Sequence, residues 1–383
     1  MKTRFVLSCS VAAVIGVLGA APVQGEALLQ QTDVFVSGSD GYFGYRIPAI
    51  ETAPDGTLLA LAEARKHNLG DPGYEGNDID LVCRRSTDAG VTWSPMKIIE
   101  DPGDRWSAAN PATLVDRQTK QVWLFYLRCK PGRNTSTARP GTDDSQILAR
   151  TSGDNGASWS EPIDLTRVTR DLADPKWRCS VVGPGGGIQT RDGRLVVPVW
   201  MFEPWGVFAV FSTDHGRTWQ RGRRVPGVSG DECQLVELRD GRLMIDIRQQ
   251  SGPHRWLSTS GDGGQTWSPV RPGEKVTPVC CAIERYQASV DREGGDWILW
   301  TGPKGPDRSN LVVRISRDEG LTFSRERDVA PGLAAYSDLA VLRDGTVGVL
   351  WERGAERGYQ FITFTRFNRD WLANATLEQD QRP

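Results

Sequence analysis

The chain has 383 residues and a formal net charge of −2, and apolar and charged residues make up 38% and 25% of it. This globular composition excludes a mostly disordered or collagen-like chain, and the small net charge gives no indication of a nucleic-acid partner or an anionic membrane. The 42 glycines and 23 prolines favour many short strands and turns over a helical bundle.

The first 25 residues have the pattern of a secretory signal peptide. Residues 1–4 are short and basic, residues 5–21 are almost wholly apolar, and small residues precede Glu26. Cleavage near Gly25 or at the alanines at 20–21 fits this pattern. An uncleaved anchor is the alternative, although the apolar stretch is barely long enough to span a bilayer. We therefore expect a secreted or periplasmic protein, residues 26–383, without stable membrane insertion.

The cysteines and histidines give no indication of a metal site. After residue 25 the chain has six cysteines, at positions 83, 129, 179, 233, 280 and 281, and the whole chain has three histidines. No CxxC pair is present, so we predict neither a structural zinc nor another cofactor. An exported protein can form disulfides, but the spacing does not choose a pairing. Several of the cysteines lie in apolar runs, which is typical of small buried side chains.

One eight-residue pattern, Ser-x-Asp-x-Gly-x-Thr/Ser-Trp/Phe, occurs five times. The copies lie at 86–93, 152–159, 212–219, 260–267 and 316–323, so their starts are 66, 60, 48 and 56 residues apart. The aspartate can accept hydrogen bonds from backbone N–H groups that follow it, and the glycine permits a positive φ. The pattern, an Asp box, therefore predicts a hairpin turn, and we assign its aspartates to the turn and not to chemistry.

Between the boxes, apolar and β-branched runs such as 121–126 and 346–351 predict strands. A mean spacing of about 58 residues predicts about six repeated units in residues 26–383. We therefore expect an all-β, single-domain protein: a six-bladed β-propeller with five recognisable Asp-box turns and a ligand site at its axis. An open stack of sheets or two sandwiches is the alternative.

Several charged or phenolic residues lie at the ends of predicted strands or in loops, where turn and strand patterns do not require them. They are Arg46, Arg65, Asp71, Glu232, Arg248, Arg308, Tyr336 and Glu352. A single arginine at a strand end is usually solvated. Several that converge near an axis would instead bind an anion, because guanidinium groups pair with carboxylates through two parallel hydrogen bonds.

The sequence Tyr-Arg-Ile-Pro at 45–48, the ordered boxes and Ala-Tyr-Ser-Asp-Leu at 335–339 resemble the exo-α-sialidases (neuraminidases) of the bacterial type. The resemblance extends over residues 34–372. It implies a glycoside hydrolase that removes terminal α-ketosidically linked sialic acids from glycoproteins, gangliosides or oligosaccharides with retention of configuration. A hydrolase for the deaminated sugar acid (KDN), a trans-sialidase and a propeller that only binds glycans are the alternatives.

The resemblance also implies which residues hold the substrate. The family binds the sialic acid carboxylate with three arginines, which match Arg46, Arg248 and Arg308 in this sequence. Glu352 matches the glutamate that holds the first of these arginines in place. Asn110, in the sequence Ala-Asn-Pro-Ala, resembles a position at the substrate rim.

The same resemblance implies the residues of the reaction itself. Tyr336 matches the nucleophile and Glu232 its partner base, since a phenol is a weak nucleophile until its proton is removed. Asp71, which follows Arg65, matches the general acid and base. Asp78 remains a rival for that role, because the loop between the two aspartates is longer than in relatives. A neutral tyrosine suits a substrate whose reacting carbon carries a carboxylate, and sialidases are known to use one.

Overall fold

The computed structural model describes residues 26–74, 76–287, 296–356, 358–373 and 376–377, and the expected signal peptide lies outside them. Within these ranges the helices are α1 (Thr166–Thr169) and α2 (Arg369–Ala373), and nearly all other regular structure is β-strand. The all-β prediction is confirmed. None of the helices in the described ranges has the length and apolar character that crossing a membrane requires.

The described residues between 29 and 164 contain nine strands; eight of them form two antiparallel groups of four, and the first one pairs with a strand near residue 367. The strands are β1 (Leu29–Val36), β2 (Gly44–Thr52), β3 (Leu58–Arg65), β4 (Ile79–Ser86), β5 (Lys97–Glu100), β6 (Ser107–Asp116), β7 (Gln121–Cys129), β8 (Ser145–Ser152) and β9 (Ile163–Asp164). Strands β2 to β5 pair in sequence order as the first group, and β6 to β9 pair in the same way as the second.

The middle of the chain forms the third and fourth groups. The strands are β10 (Cys179–Val182), β11 (Gly185–Gly186), β12 (Ile188–Gln189), β13 (Leu195–Phe202), β14 (Gly206–Ser212), β15 (Gln220–Arg221), β16 (Gly230–Glu237), β17 (Leu243–Gln249), β18 (His254–Ser260) and β19 (Arg271–Lys275). The third group has the order β10-β13-β14-β15 with β12 beside β13, and the fourth is β16-β17-β18-β19. The short strand β11 pairs with β6 and so connects the third group to the second.

The last third of the chain forms two more groups, and the first strand of the chain completes one of them. The strands are β20 (Ala282–Gln287), β21 (Asp296–Pro303), β22 (Ser309–Ser316), β23 (Arg325–Val341), β24 (Val347–Arg353), β25 (Phe361–Phe367) and β26 (Thr376–Leu377). The first half of β23 pairs with β22 and the second half with β24, while β25 pairs with β1. The described strands thus form six groups, which fits a six-bladed propeller; the blade count itself stays a prediction.

The core lies between neighbouring groups. The largest apolar cluster includes Phe125 of the second group, Val197 of the third and Ile245 of the fourth, all of them buried. The six cysteines at positions 83 to 281 are also buried, and each is a free thiol. They therefore contribute to the core as small apolar side chains.

The five boxes form the same hydrogen-bonded turn. In the first, the Ser86 hydroxyl donates to Asp88 Oδ1 at 2.7 Å and accepts from Gly90 N at 2.8 Å. The Thr92 amide and hydroxyl donate to the two oxygens of Asp88 at 2.9 and 2.6 Å. The other four boxes repeat these contacts. Each box aspartate is thus used by its own turn, as the sequence predicts.

We expect Asp262→Ala to lower the free energy of unfolding by about 1–2 kcal/mol, because Asp262 accepts hydrogen bonds from Ser260, Gln265 and Thr266 that the turn then loses. Denaturant unfolding measures this change. The exposed Asp328 provides a control, and Asp328→Ala should alter stability little. Equal stability of the two variants would contradict a structural role for the box aspartates.

Candidate active site

Three hairpins bring most of the predicted site residues to one end of the strand groups. In an antiparallel hairpin the beginning of one strand lies beside the end of the next. Arg46 near the start of β2 is therefore opposite Glu63, close to Arg65 at the end of β3. In the same way Glu232 lies near Arg248 in β16 and β17, and Tyr336 lies near Glu352 in β23 and β24.

Each of these first strands has a β-bulge where its site residue lies. The register shifts occur between Arg46 and Ala49, between Gly230 and Cys233 and between Ala334 and Ser337, and β6 has one between Ala109 and Ala112. Side chains along a regular strand alternate between the two faces of the sheet. A bulge interrupts this alternation and changes the direction in which the side chains at the bulge point.

The carboxylate of Glu352 is buried and holds two strands. It accepts hydrogen bonds from Arg46 Nε at 2.6 Å and from the Ile47 amide at 2.9 Å through Oε1. Its Oε2 accepts from the Tyr336 amide at 3.2 Å and from Arg46 Nη2 at 3.4 Å. The residue implied to hold Arg46 in place thus also holds the backbone of Tyr336.

The phenol of Tyr336 lies between a glutamate and an arginine. Its hydroxyl donates to Glu232 Oε1 at 2.7 Å and accepts from Arg248 Nη1 at 2.8 Å, while Arg248 Nη1 also donates to Glu232 Oε2 at 2.5 Å. Burial, followed by the charge of Glu232, raises the pKa of Tyr336 well above its ordinary value, although Arg248 and Arg46 oppose this. The free protein therefore keeps a neutral phenol in contact with a proton acceptor.

The guanidinium of Arg308 completes the group of three arginines. The carbon at its centre lies 5.4 Å from the centre of the Tyr336 ring, and that of Arg46 lies 5.5 Å away. Arg308 donates to Tyr359 Oη at 2.9 Å and to the Pro278 carbonyl at 3.1 Å. Among the described residues no carboxylate forms an ion pair with it. Its positive charge thus remains available for an anion.

Arg65 and Asp71 lie together beside this group. Arg65 Nη1 donates to Asp71 Oδ1 at 3.1 Å, and the carboxylate of Asp71 is largely exposed. The buried Glu63 accepts from Arg65 Nε at 3.0 Å and from the Asn110 amide at 2.9 Å. Asn110 has a φ of 53°, and its side-chain amide nitrogen is buried without a hydrogen-bond partner in the protein. Its side-chain amide therefore has a donor that no described group of the protein uses.

The structure separates Asp71 from its rival Asp78. Asp78 is buried and lies 2.9 Å from Lys66 Nζ, and its Oδ2 accepts a hydrogen bond from the Arg105 amide at 2.9 Å. The same lysine lies 3.3 Å from Asp80. Asp78 thus belongs to a local cluster of charges with Lys66 and Asp80. The carboxylate of Asp71, in contrast, contacts Arg65 and is exposed to solvent, where a bound molecule can reach it.

Three residues of the site were not predicted from the sequence. Tyr359 places its ring 3.8 Å from the guanidinium carbon of Arg46, and the buried Glu63 orients Arg65. Asp231 is buried next to Glu232, accepts a hydrogen bond from Gln250 at 2.5 Å and has its pKa raised to about 6 by burial. Strand alternation could have found Glu63, which lies two residues before Arg65. No pattern marks Tyr359, which lies in the loop between β24 and β25.

The described residues contain no group of three or more histidine, cysteine, aspartate or glutamate side chains arranged to hold a metal ion. The site is instead a set of guanidinium groups, carboxylates and one phenol. Such a set can bind a carboxylate, transfer protons and provide a phenolic nucleophile.

The fold and the site together define an all-β protein with a centre of guanidinium groups, carboxylates and one phenol built on strand ends. The profile of the BNR repeat-like domain family matches residues 56–349, so the chain belongs to that family. A sialidase of Micromonospora viridifaciens is 32% identical over 400 residues, which cover 96% of this chain and 59% of that protein.

Solved structures are similar as well. The Hadza microbial sialidase Hz136 has a TM-score of 0.81 at 27% identity, over 89% of this chain and 69% of that one. An intramolecular trans-sialidase from Ruminococcus gnavus has a TM-score of 0.77 at 20% identity, over 89% of this chain and 98% of that one, which indicates a shared fold. These similarities support the sequence resemblance to exo-sialidases of the bacterial type.

We expect Tyr359→Phe to weaken the binding of an unsaturated sialic acid analogue about three- to tenfold. The variant keeps the ring over Arg46 but removes the hydroxyl that accepts a hydrogen bond from Arg308, and a typical hydrogen bond contributes about 0.5–1.5 kcal/mol net. Titration calorimetry measures the affinity, and Tyr359→Ala, which removes both contacts, should have the larger effect. Affinities equal to that of the unmodified protein in both variants would show that Tyr359 does not organise the arginines.

Proposed function

We propose that this protein is an exo-α-sialidase that hydrolyses terminal sialic acids from glycoconjugates by a retaining mechanism with Tyr336 as nucleophile. The observation that carries the proposal is the position of the Tyr336 hydroxyl, which contacts both Glu232 and Arg248 while the guanidinium groups of Arg46 and Arg308 lie beside its ring. The similarity to named sialidases supports it.

The arginines account for recognition of the substrate. A sialoside carries a carboxylate on its anomeric carbon, and Arg46, Arg248 and Arg308 would bind that group and place the carbon near the phenol. Arg46 and Arg248 already pair with Glu352 and Glu232, so their orientation is fixed before the substrate arrives. Arg308 lacks such a partner among the described carboxylates and supplies the charge that the substrate neutralises.

The first chemical step forms a bond between the Tyr336 oxygen and the anomeric carbon. As this bond forms, the phenolic proton moves to Glu232 Oε1, with which the hydroxyl already makes a hydrogen bond of 2.7 Å. The bond from the anomeric carbon to the leaving oxygen breaks, and Asp71 donates its proton to that oxygen. Arg248 Nη1 donates a hydrogen bond to the phenolic oxygen and so stabilises the negative charge that develops there.

The second step releases the sugar. Water attacks the anomeric carbon while Asp71 accepts its proton, and the bond to Tyr336 breaks as the phenol regains its proton from Glu232. Two displacements at one carbon give net retention. The products are free sialic acid and the glycan with a hydroxyl group, so atoms and protons balance.

The signal-like pattern of residues 1–25 supports export, so we propose that the enzyme acts outside the cytoplasm on sialylated glycans. A hydrolase passes the sugar to water in the second step, whereas a trans-sialidase passes it to another hydroxyl group. The KDN alternative differs in its substrate, which lacks the amide group of the usual sialic acid. Analysis of products and of paired substrates therefore decides among these enzymes.

We expect the purified protein to release the fluorophore from an α-linked fluorogenic sialoside and to produce free sialic acid. A 2,7-anhydro or transferred product would instead indicate a transferase, and activity confined to the KDN substrate would indicate that alternative enzyme. No release between acidic and neutral pH would contradict the proposal.

Tyr336→Phe should lower the turnover of the same substrate by at least about 10³-fold, because the covalent step loses its nucleophile. The exposed Tyr74 offers a matched loss of one hydroxyl, and Tyr74→Phe should keep full activity. Similar melting temperatures of the two variants would establish that the fold is intact. Wild-type rates in Tyr336→Phe would show that the nucleophile is misassigned.

Asp71→Asn should lower kcat/KM for an alkyl-linked natural sialoside by about 10²–10⁴-fold and for an aryl-linked fluorogenic one much less. The reason is that an aryl oxide leaves without prior protonation, whereas an alkoxide does not. The value of kcat/KM reports the first irreversible step and so isolates the acid role. Asp78→Asn serves as the control and should not discriminate between leaving groups; the opposite pattern would assign the acid to Asp78.

A further inference from the structure

Three arginines lie within four residues of one another on the outer side of the third strand group. Arg221 ends β15, Arg223 and Arg224 follow it, and all three are exposed. The guanidinium carbons of Arg221 and Arg224 lie 4.9 and 5.3 Å from the centre of the Trp177 ring. Two like charges are therefore held against one aromatic side chain, where cation–π attraction stabilises both.

These guanidinium groups have no negative partner within the described part of the chain. Neither an ion pair nor a side-chain hydrogen bond connects any of the three with another described residue, whereas the neighbouring Arg178 pairs with Glu203. The protein as a whole is weakly acidic, with a net charge of −2. The arginines thus form a local positive patch that the overall composition does not explain.

Trp177, against which these arginines lie, is fixed in place. Its ring is buried, its indole N–H donates to the Cys179 carbonyl at 3.2 Å and to the Ser180 hydroxyl at 3.1 Å, and it packs edge-on against Phe208. A fixed ring restricts the guanidinium groups that lie on it. These side chains therefore lose less conformational entropy on binding an anion than freely moving surface arginines would lose.

Arg224, the last of the three arginines, lies at the same end of the strand groups as the candidate active site. A side-chain carbon of Arg224 lies close to Gly206, the first residue of β14, and the Val225 amide donates to the Val207 carbonyl. Gly206 pairs with Met201, whose neighbour Phe202 pairs with Cys179 at the beginning of β10. The site residues lie near the beginnings of the first strands of other groups, and β10 is the first strand of the third group. A glycan that occupies the candidate active site can therefore extend over the same end of the third group toward Arg224.

We propose that Arg221, Arg223 and Arg224 form a second binding site for a polyanionic glycan chain, one that carries repeated carboxylate or sulfate groups. The inference rests on the proposed function, since it extends the substrate class from a single terminal sialic acid to chains with several negative charges. Several exposed contacts of this kind raise the affinity for such a chain. The affinity should also fall as salt is added, because dissolved ions screen the attraction between exposed charges, with a Debye length of about 10 Å at 0.1 M salt.

The test uses the full protein with Tyr336→Phe as background, so that a sialic acid polymer is bound and not degraded. Binding of polysialic acid and of heparin is measured at low and at physiological salt. In the variant with Arg221→Gln, Arg223→Gln and Arg224→Gln we expect about fivefold or greater loss of affinity at low salt. Replacement of the three arginines by lysine should retain most of the affinity.

A matched control removes three positive charges from other exposed positions, through Arg239→Gln, Arg242→Gln and Arg343→Gln. This variant should bind both polymers like the parent protein. Unchanged binding after the loss of Arg221, Arg223 and Arg224, or an equal decrease in the control, would overturn the proposal. Loss for polysialic acid alone or heparin alone would support the site and identify the carboxylate or the sulfate as the group it binds.

The two proposals can fail separately. Turnover of a small fluorogenic sialoside, measured with Tyr336 intact, should be the same within about twofold with and without the three arginines, since they lie outside the catalytic group. If the unmodified protein binds the polymers through this patch but hydrolyses no sialoside, the proposed function fails while the second site stands. Equal loss of small-substrate turnover in the glutamine variant and the lysine variant would overturn a role confined to binding.

Discussion

The site depends on one buried carboxylate, that of Glu352. A charge that is removed from water is tolerated only when hydrogen bonds and an opposite charge compensate it, and Glu352 receives both from Arg46, the Ile47 amide and the Tyr336 amide. These partners come from β2 and β23, which are about 290 residues apart in the chain. The contact therefore fixes the first arginine relative to the phenol, and it joins the beginning of the chain to its end at the place where the chemistry is proposed.

The bulges explain how such a contact can form on regular strands. Ile47 has a φ of 58°, a strained conformation for a β-branched residue that costs about 1–3 kcal/mol. The bulge interrupts the pairing of Ile47 with β3. The carboxylate of Glu352 accepts the hydrogen bond of the Ile47 amide instead, and this contact helps to offset the cost of the strained conformation. Without the bulge, alternation would send the side chains of Arg46 and Ile47 to opposite faces of the sheet. Strain and buried charge are thus parts of the same arrangement.

The sequence predicted what local chemistry determines. The turns follow from the Asp and Gly of each box, and the strand ends follow from where apolar runs stop, so the positions of Arg46, Arg248 and Glu352 could be anticipated. Their mutual distances could not, because they depend on which strands pair across hundreds of residues. Tyr359 was missed for this reason, since nothing in its loop indicates contact with Arg46 and Arg308. The acid role of Asp71 stays a prediction; the contact of Asp78 with Lys66, which favours Asp71, joins neighbours in space that the loop sequence does not single out.

Charge balance indicates why a phenol and not a third carboxylate lies at the centre of the site. Arg46 and Arg248 each already face a glutamate, and Arg308 is the guanidinium left for an anion from solution. A carboxylate in place of Tyr336 would lie against Glu232, and repulsion between the two negative charges would raise the pKa of one of the acids. It would also pair with the arginines and compete with the carboxylate of the proposed substrate. A neutral phenol avoids both effects, since in the proposed mechanism it becomes negative only while Glu232 holds its proton and Arg248 contacts its oxygen.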